Sequence, residues 1–415
     1  MHLSLIAAFA CSAMALPVLA ADPAQVAQTY VSIGAATFGD ALITAKALQT
    51  AVDGLIANPS EATLATARAA WIAARPSYTQ GEAFRFGNPI VDDWEGRVNA
   101  WPLDEGLIDY VDPAYGQSEE NPLSTLNVVA NPTFTLSGVT VDATQLTPDL
   151  ISGTLQEAGG LEANVASGYH AVEFLLWGQD LNGTGPGAGN RPFTDFVQGP
   201  GCTNGNCDRR AAYLTAVTQL LVNDMAYMAA QWAPGGAAAN RIIQDPNSAL
   251  TAMLTGMGSL SYGELAGQRI RLGLMLNDPE EEQDCFSDNT YNSLYYDAVG
   301  IQNVYLGQYT RTDGTIISGP SLSQMVASAD PSVDAKLTSD LASSVTALAV
   351  IKAAGEAGTA YDQMLAPGNS QGETVIMEAV DALVTQTASI QRAMTVLGLT
   401  EADFTVANDP AEVFQ

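Results

Sequence analysis

One stretch of the chain combines a histidine and a carboxylate at a spacing that suits a metal site. Residues 167–177, SGYHAVEFLLW, carry His170 and Glu173, which lie three residues apart and therefore share one side of a helix. The chain has two histidines, and His2 lies in an N-terminal segment that we expect to be removed. His170 is then the only imidazole of the mature protein, and together with Glu173 it offers two metal ligands on one rigid helix.

The same two residues could instead form a hydrogen-bonded pair in the core, because a buried histidine needs a partner and Glu173 is one turn away. For an isolated H-x-x-E this structural alternative is the more common one. Gly168 favours the functional interpretation. A glycine inside a helix costs about 1 kcal/mol relative to alanine, so it usually marks the close approach of another backbone or of a ligand.

A second group of chemically active side chains recurs at helical spacing. Ser60 is a suitable N-cap for a helix that runs towards Pro76, where the proline should end or kink it. If the helix resumes, one face carries aromatic, arginine and carboxylate side chains: Trp71, Arg75, Tyr78, Glu82 and Arg85. The alternative is a polar helix face with an ion pair, but this combination suits the lining of a cleft better than open solvent.

Helical spacing along the rest of the chain predicts an all-α fold of two helical bundles. We expect helices over 22–57, 151–177, 208–232, 248–276 and 290–309, and three more around Leu322, Leu341 and Val375. The exceptions are a short hairpin in 133–141, a long loop insertion over 178–206 and a solvated acidic loop over 277–288. The turn at Pro234-Gly235-Gly236 separates an N-terminal bundle, 22–236, from a C-terminal bundle, 237–415.

The N-terminus predicts export. Residues 1–20 are apolar and rich in small residues, which is typical of a secretory signal peptide, here cleaved after Ala20 or Ala21. No later apolar run is long enough to span a bilayer. We therefore expect a protein secreted across the inner membrane, periplasmic or associated with the outer membrane, with no transmembrane segment after the leader.

The charge balance excludes one class of partner. The chain has 45 acidic and 15 basic side chains, giving a formal charge of −30. Such a surface repels nucleic acid and anionic membranes and attracts cations. Solubility explains most of these carboxylates.

The cysteines also fit an oxidising compartment. Cys202 and Cys207 flank the turn-forming sequence TNGN, which predicts a local disulfide. Cys285 is then a single free thiol of the mature chain.

The motif Gly168-x-His170-x-x-Glu173 resembles the G-x-H-x-x-E signature of the imelysin-like proteins. Within that family, its sequence is close to that of the iron-regulated protein A branch. Three further segments carry the resemblance: 71–86, 99–111 and 263–307, the last containing GELAGQR, CFSDNT and GIQNVYLG. The three-residue motif alone is a weak signal, but four segments in order over most of the chain are specific.

The resemblance implies a role in bacterial iron uptake and a ligand set drawn from these segments. His170, Glu173 and Glu82 are the expected metal ligands. The residues expected to line the cleft or support the ligands are Gly168, Trp71, Arg75, Tyr78, Arg85, Asp104, Glu105, Glu264, Arg269 and Asp288. The expected ligand is a metal ion, iron first, or an iron chelate; zinc, copper and haem, through His170 or Tyr78, stay open. The expected partners are envelope components of iron uptake.

Two other functions stay open. The family is classed as peptidase M75, but the chain has no H-E-x-x-H, and Phe174 stands where an H-x-x-E-H site would have its second histidine. This argues against the usual hydrolytic zinc site, which needs about three protein ligands and a general base. The third possibility is a scaffold or receptor accessory in which the His–Glu pair only braces a domain interface.

Metal affinity should depend on pH, because a ligating imidazole must be neutral. With an unperturbed pKa of about 6.5 for His170, affinity should fall as the pH drops through that value.

Overall fold

A computed structural model describes residues 21–399, and this part of the chain is predominantly helical. The α-helices are α1 (Pro23–Ala57), α2 (Glu61–Thr79), α3 (Pro89–Glu95), α4 (Pro148–Leu150), α5 (Gly168–Trp177), α6 (Cys207–Trp232), α7 (Ala237–Gln244), α8 (Pro246–Ser259), α9 (Leu272–Leu276), α10 (Thr290–Leu306), α11 (Leu322–Ala329), α12 (Pro331–Glu356), α13 (Tyr361–Leu365) and α14 (Ser370–Val396). Two π-helical segments are Ile151–Leu155 and Leu260–Arg271, and the second joins α8 to α9. Short 3-10 turns are Glu82–Phe84, Glu105–Leu107, Ala158–Gly160, Phe193–Phe196, Gly199–Gly201 and Pro279–Glu281.

The all-α fold predicted from the sequence is confirmed, and the strands are confined to two small antiparallel hairpins. Strands β1 (Thr133–Leu136) and β2 (Val139–Asp142) form the hairpin that the sequence predicts. Strands β3 (Gln308–Thr310) and β4 (Ile316–Ser318) form a second hairpin within a segment predicted only as a helix end and a turn.

The long helices pack around one continuous apolar core. Helix α1 packs against α2 and α6, and α14 packs against α12 and the π-helical segment 260–271. Helix α10 contacts both α2 and α12, so it connects the N-terminal and C-terminal sets of helices. Helices α7 and α8 follow the turn at Pro234–Gly236 but pack on α1, so the division into bundles at residue 236 stays a prediction.

The start of α2 follows the capping chemistry of its sequence. Ser60 Oγ accepts a hydrogen bond from the Thr63 amide at 3.2 Å, and the Ser60 amide donates to Thr63 Oγ1 at 3.0 Å. This reciprocal pair satisfies two amide groups that a helix start leaves free.

Helix α2 does not end at Pro76, which the sequence had suggested as one possibility, but continues to Thr79. The end of the helix is stabilised by a side chain, because Gln80 Nε2 donates to the Pro76 carbonyl at 2.8 Å. The consequence is that Trp71, Arg75 and Tyr78 share one buried face, while Glu82 lies in the next turn.

The helix predicted over 151–177 is wrong in its first half. The chain leaves the helix after Leu155, and α5 begins only at Gly168, which has a φ of +82°. Gly168 therefore lies at the start of the motif helix and not inside it. The close backbone approach inferred from this glycine is present, since the Tyr169 amide donates to the Val98 carbonyl at 2.7 Å.

Gly168→Ala should destabilise the protein by more than about 2 kcal/mol. A methyl group at this position would lie 2.6 Å from the Val98 carbonyl carbon and 2.9 Å from its Cα, and the positive φ adds strain. Gly160→Ala is a matched control, because Gly160 has a φ of +77° but nothing within 4 Å of the added carbon. Urea unfolding should show a clearly larger loss at Gly168. If both variants lost the same free energy of unfolding, the Val98 backbone would have to move away from the added methyl group at little cost.

Two described helices, α1 and α12, are long and apolar enough to cross a membrane by length and composition alone, and the expectation of no transmembrane segment after the leader stays a prediction. Both belong to the bundle: α1 packs against α2 and α6, and α12 packs against α10 and α14. Residues 1–20 of the predicted signal peptide, 1–21, lie outside the described residues.

Candidate metal site

Three buried side chains bring one nitrogen and two carboxylate oxygens together. His170 and Glu173 project from the first two turns of α5, and Asp284 comes from the loop between the turn Pro279–Glu281 and α10. His170 Nδ1 lies 3.0 Å from Glu173 Oε2 and 3.7 Å from Asp284 Oδ1. His170 is 1% exposed, and Glu173 and Asp284 are 0% exposed. Among the histidine, cysteine and carboxylate side chains of residues 21–399, these three form the group whose possible ligand atoms all lie within 4.8 Å of one another.

The hydrogen bonds of Asn99 fix the histidine tautomer. Asn99 Oδ1 accepts from Arg75 Nη1 at 2.7 Å, and Asn99 Nδ2 donates to Glu82 Oε1 at 2.7 Å, which orients the amide. His170 Nε2 lies 3.2 Å from the same Asn99 Oδ1, an acceptor, and must therefore carry the proton. In a neutral imidazole the lone pair of Nδ1 then points at two carboxylate oxygens.

The lone pairs of His170 Nδ1 and Glu173 Oε2 face one another and need a proton or a cation between them, whereas Asp284 Oδ1 already pairs with the guanidinium of Arg75. Burial raises the pKa of Glu173 well above its usual value, and the charge of Asp284 raises it further. Burial lowers the pKa of His170 well below its usual value, and the guanidinium groups of Arg75 and Arg269 act in the same direction. Both shifts favour a neutral imidazole that accepts at Nδ1 from a protonated Glu173 in the metal-free state. A metal ion would replace that proton.

The remaining atoms of the two carboxylates are held in place. Glu173 Oε1 accepts from the Ser287 amide at 2.9 Å and from Ser287 Oγ at 2.6 Å. Asp284 Oδ2 accepts from Asn289 Nδ2 at 3.0 Å and from Ser293 Oγ at 2.5 Å. Asp284 Oδ1 receives no hydrogen bond. These contacts leave the other oxygen of each carboxylate, Glu173 Oε2 and Asp284 Oδ1, on the side of His170, as outer partners do in metal sites.

Arg75 is the permanent charge beside the site. Its guanidinium is buried, and Nη2 lies 3.0 Å from Asp284 Oδ1. The group lies 5.6 Å from the Trp71 ring, 5.5 Å from Tyr78 and 5.0 Å from Tyr169. These aromatic faces stabilise a cation that has no water around it, and the charge partly offsets the two carboxylates.

Glu82, which was expected as the third ligand, contacts Arg269 and Asn99 and not His170 itself. Its Oε2 accepts from Arg269 Nη2 at 2.5 Å, and its Oε1 accepts from Asn99. Arg269 also pairs with Asp297 at 3.0 Å. Glu82 therefore supports Asn99 on the Nε2 side of His170, and Asp284, rather than Glu82, lies beside Nδ1.

No described hydrogen bond or ion pair joins three further predicted residues to His170, Glu173 or Asp284. Asp104 accepts from Tyr115 at 2.9 Å and from Asn121, and burial raises the pKa of Glu105. Burial and the charges of Asp362 and Asp180 raise the pKa of Asp288 to about 7. The place of these three residues in the cleft stays a prediction.

Two cavities approach the site. A space of about 10 Å³, the size of one water molecule, is lined by His170 together with Trp101, Pro102, Leu103, Glu280, Glu282, Gln283, Cys285 and Phe286. A larger cavity of about 700 Å³ reaches Asn99 and Arg269, and its lining carries seven acidic and two basic side chains. Arg85 and Glu264, both predicted for the cleft, line this second cavity and lie 3.5 Å apart.

Sequence reasoning missed Asp284, Asn99 and Ser287. Asp284 was interpreted as part of a solvated loop, yet it directly precedes CFSDNT, a segment that carries the family resemblance. That position was the available signal, and Asp288 was chosen from the same segment instead. Asn99 opens another such segment, but an uncharged amide gave no reason to select it.

The cysteines are arranged as the turn sequence suggests. Cys202 and Cys207 form a disulfide with an S–S distance of 2.05 Å, and Cys285 is free among the described residues. Thiol counting on the denatured, exported protein should therefore find one free thiol. A count of three would contradict the disulfide.

Comparison with known proteins identifies the family. The imelysin profile, peptidase M75, matches residues 34–390. Iron-regulated protein A of Synechococcus elongatus is 23% identical over 368 residues, which cover 88% of this chain and 82% of that protein. A crystal structure assigned as an iron-regulated protein A precursor from Parabacteroides distasonis has a TM-score of 0.65 at 19% identity and covers 92% of this chain and 95% of its own.

A crystal structure of an imelysin-like protein from Psychrobacter arcticum has a TM-score of 0.60 at 15% identity, covering 92% of this chain and 99% of its own. Both structures share the all-α fold described above. Because the family profile spans most of the chain, as the G-x-H-x-x-E motif had indicated, the chain belongs to the imelysin family.

Proposed function

We propose that this protein is exported to the bacterial envelope and binds one metal ion, iron in the first place, through His170 Nδ1, Glu173 and Asp284. The observation that carries the proposal is the convergence of three buried lone pairs on one point. Arg75 already pairs with Asp284 Oδ1, but the lone pairs of His170 Nδ1 and Glu173 Oε2 still need a proton or a metal ion between them.

The donor set favours a transition metal. One imidazole nitrogen and two carboxylate oxygens suit iron, and also zinc or copper, better than calcium or magnesium, which prefer oxygen ligands alone. Iron is placed first because a relative carries the name iron-regulated protein A. The precursor name of the Parabacteroides protein and the leader-like sequence of residues 1–20 support export.

The space around the site favours binding of an ion over peptide cleavage or haem binding. His170 is 1% exposed, and the cavity beside it holds about one water molecule. Neither a peptide nor a porphyrin reaches Nδ1 without a large rearrangement. A chelate could occupy only the larger cavity, where the many carboxylates favour a cation over an anionic complex.

Metal analysis tests the proposal. Chelator-stripped protein is loaded separately with ferrous, zinc and cupric ions, passed through a desalting column and analysed for metal. The parent should retain about one ion per chain, and His170→Ala should retain none. Glu373→Gln, an exposed acidic position on α14, controls for surface charge. Equal retention by the parent and His170→Ala would show that the His–Glu pair is structural.

A further inference from the structure

Arg191 is a buried arginine whose guanidinium has one edge without hydrogen-bond acceptors. Its side chain is 0% exposed, and Nη1 donates to Asp109 Oδ2 at 2.8 Å and to Asp195 Oδ2 at 3.2 Å. Nε and Nη2 have no hydrogen-bond partner. These two nitrogens form the side-on edge of the guanidinium, which matches the two oxygens of a carboxylate. Unpaired N–H groups on a buried cation are costly, so this edge indicates a missing acceptor.

Protein groups contact the other parts of this guanidinium. Its Cζ lies 4.7 Å from the centre of the Tyr110 ring and 5.4 Å from that of the Phe174 ring. Aromatic faces at such distances stabilise a cation, but they do not accept the N–H groups that lie in its plane. Because Nη1 is held by two carboxylates, the Nε–Nη2 edge is the part of Arg191 that is left for a ligand.

A cavity of about 350 Å³ adjoins Arg191, and its size and lining are typical of a small-molecule site. Gly178 brings this cavity close to Nε. The three atoms nearest to a Cβ added at Gly178, itself a lining residue, all belong to Arg191, and Nε is 3.8 Å away. The lining combines apolar side chains with amides, among them Val111, Trp177, Leu181, Gln179, Asn182 and Asn190.

The charges around Arg191 permit one additional negative group. Arg210 balances part of the acidic charge, since its Nε lies 2.5 Å from Asp109 Oδ2. Arg68 adds a further positive charge, and its Nη2 donates to the Arg191 carbonyl at 2.9 Å. The carboxylate among the described lining residues is Asp112, which is exposed, so that solvent and salt screen it.

We propose that this cavity binds a small organic carboxylate, with its two oxygens on Nε and Nη2 of Arg191 and its apolar part against Trp177 and Leu181. A single guanidinium edge suits a planar monoanion, whereas phosphate groups are usually recognised by clusters of basic side chains. The site is independent of the proposed metal binding, because His170, Glu173 and Asp284 do not line this cavity.

Saturation-transfer NMR titrations with benzoate and benzamide test the site. Benzamide has nearly the same shape as benzoate but carries no charge. The parent should bind benzoate with a Kd on the order of 1 mM or below, and about tenfold more tightly than benzamide, because a hydrogen bond to an ionised acceptor is stronger. Indole-3-acetate is the second carboxylate probe. If the parent binds neither carboxylate saturably, the inference is wrong and a buried water serves the edge of Arg191.

Two matched variants locate the bound carboxylate. Leu181 is 68% exposed at the cavity, and Val139 is 66% exposed on β2 and does not line it. Leu181→Glu should weaken benzoate binding by about threefold or more, because the added carboxylate repels the ligand. Val139→Glu adds the same charge elsewhere and should bind benzoate as the parent does. Equal affinities in both variants would place the ligand outside this cavity and refute the inference.

Two further variants test the role of Arg191 and the independence of the site. Arg191→Lys keeps a cation for Asp109 and Asp195 but removes the side-on edge, so the preference for benzoate over benzamide should disappear. A preference unchanged from the parent would contradict the assignment to Arg191. His170→Ala should bind benzoate as the parent does, even if it loses transition-metal binding. Failure of this inference is therefore distinguishable from failure of the proposed function.

Discussion

Glu173→Gln is expected to abolish metal binding and to leave the metal-free fold intact. Glutamine has the shape of the protonated glutamic acid, so its amide can donate to His170 Nδ1 while its carbonyl accepts from the Ser287 amide and hydroxyl. It offers no anionic oxygen to an ion. Affinity should fall more than about 100-fold, because loss of an outer partner alone costs about 10–100-fold.

Titration calorimetry with ferrous and zinc ions measures this loss, and thermal unfolding without metal checks the fold. Asp284→Asn should also lose affinity, but without metal it should be less stable than Glu173→Gln. The reason is that Asp284 forms a buried ion pair with Arg75, at 3.0 Å, which the amide breaks. If Glu173→Gln bound metal as tightly as the parent, the converging lone pairs would not be the binding site.

Metal binding at neutral pH is expected to release one proton, and that proton comes from Glu173. The pKa of this carboxyl is raised well above its usual value by burial and by Asp284, which favours a protonated carboxyl in the metal-free protein, and we expect the ion to displace that proton. Affinity should then fall about tenfold for each unit that the pH drops below that raised pKa.

This expectation corrects the dependence inferred from the sequence. The pKa of His170 is lowered by burial and by Arg75 and Arg269, so its imidazole is neutral near pH 6.5 and does not titrate there. Stability follows the same group: the raised pKa of Glu173 stabilises the metal-free protein at low pH, and this contribution is lost as the pH rises through that value.

Calorimetry at pH 7 in buffers of different ionisation enthalpy counts the released protons. A count of one in the parent and none in any residual binding by Glu173→Gln supports the assignment. Binding without proton release, with constant affinity from pH 6 to pH 8, would contradict it.

The part of the site that the sequence could predict is the part held by one helix. His170 and Glu173 lie three residues apart on α5, and helical geometry brings them together whatever the tertiary structure. Asp284 is 114 residues further along the chain than His170 and reaches it only because α10 packs against α2 and fixes the preceding loop. No local sequence pattern indicates that Asp284 lies beside His170, and for this reason Asp288 and Glu82 were chosen instead of Asp284.

The same limit applies to the prediction of the fold from the sequence. Periodic apolar residues predict the long helices and the all-α class, because each helix buries one face whatever its partner. The break before Gly168 depends on the Val98 carbonyl, which approaches from another segment and favours a positive φ. Pro76 is the converse case, since the helix continues through a residue whose local preference is to end it.

Anomalous diffraction from crystals of the iron-loaded protein tests the central claim most directly. One peak should lie about 2.0–2.3 Å from His170 Nδ1 and from one oxygen each of Glu173 and Asp284, with His170 Nε2 still facing Asn99 Oδ1. An iron peak at any other position, with Glu173 still hydrogen-bonded to His170 Nδ1, would contradict the claim.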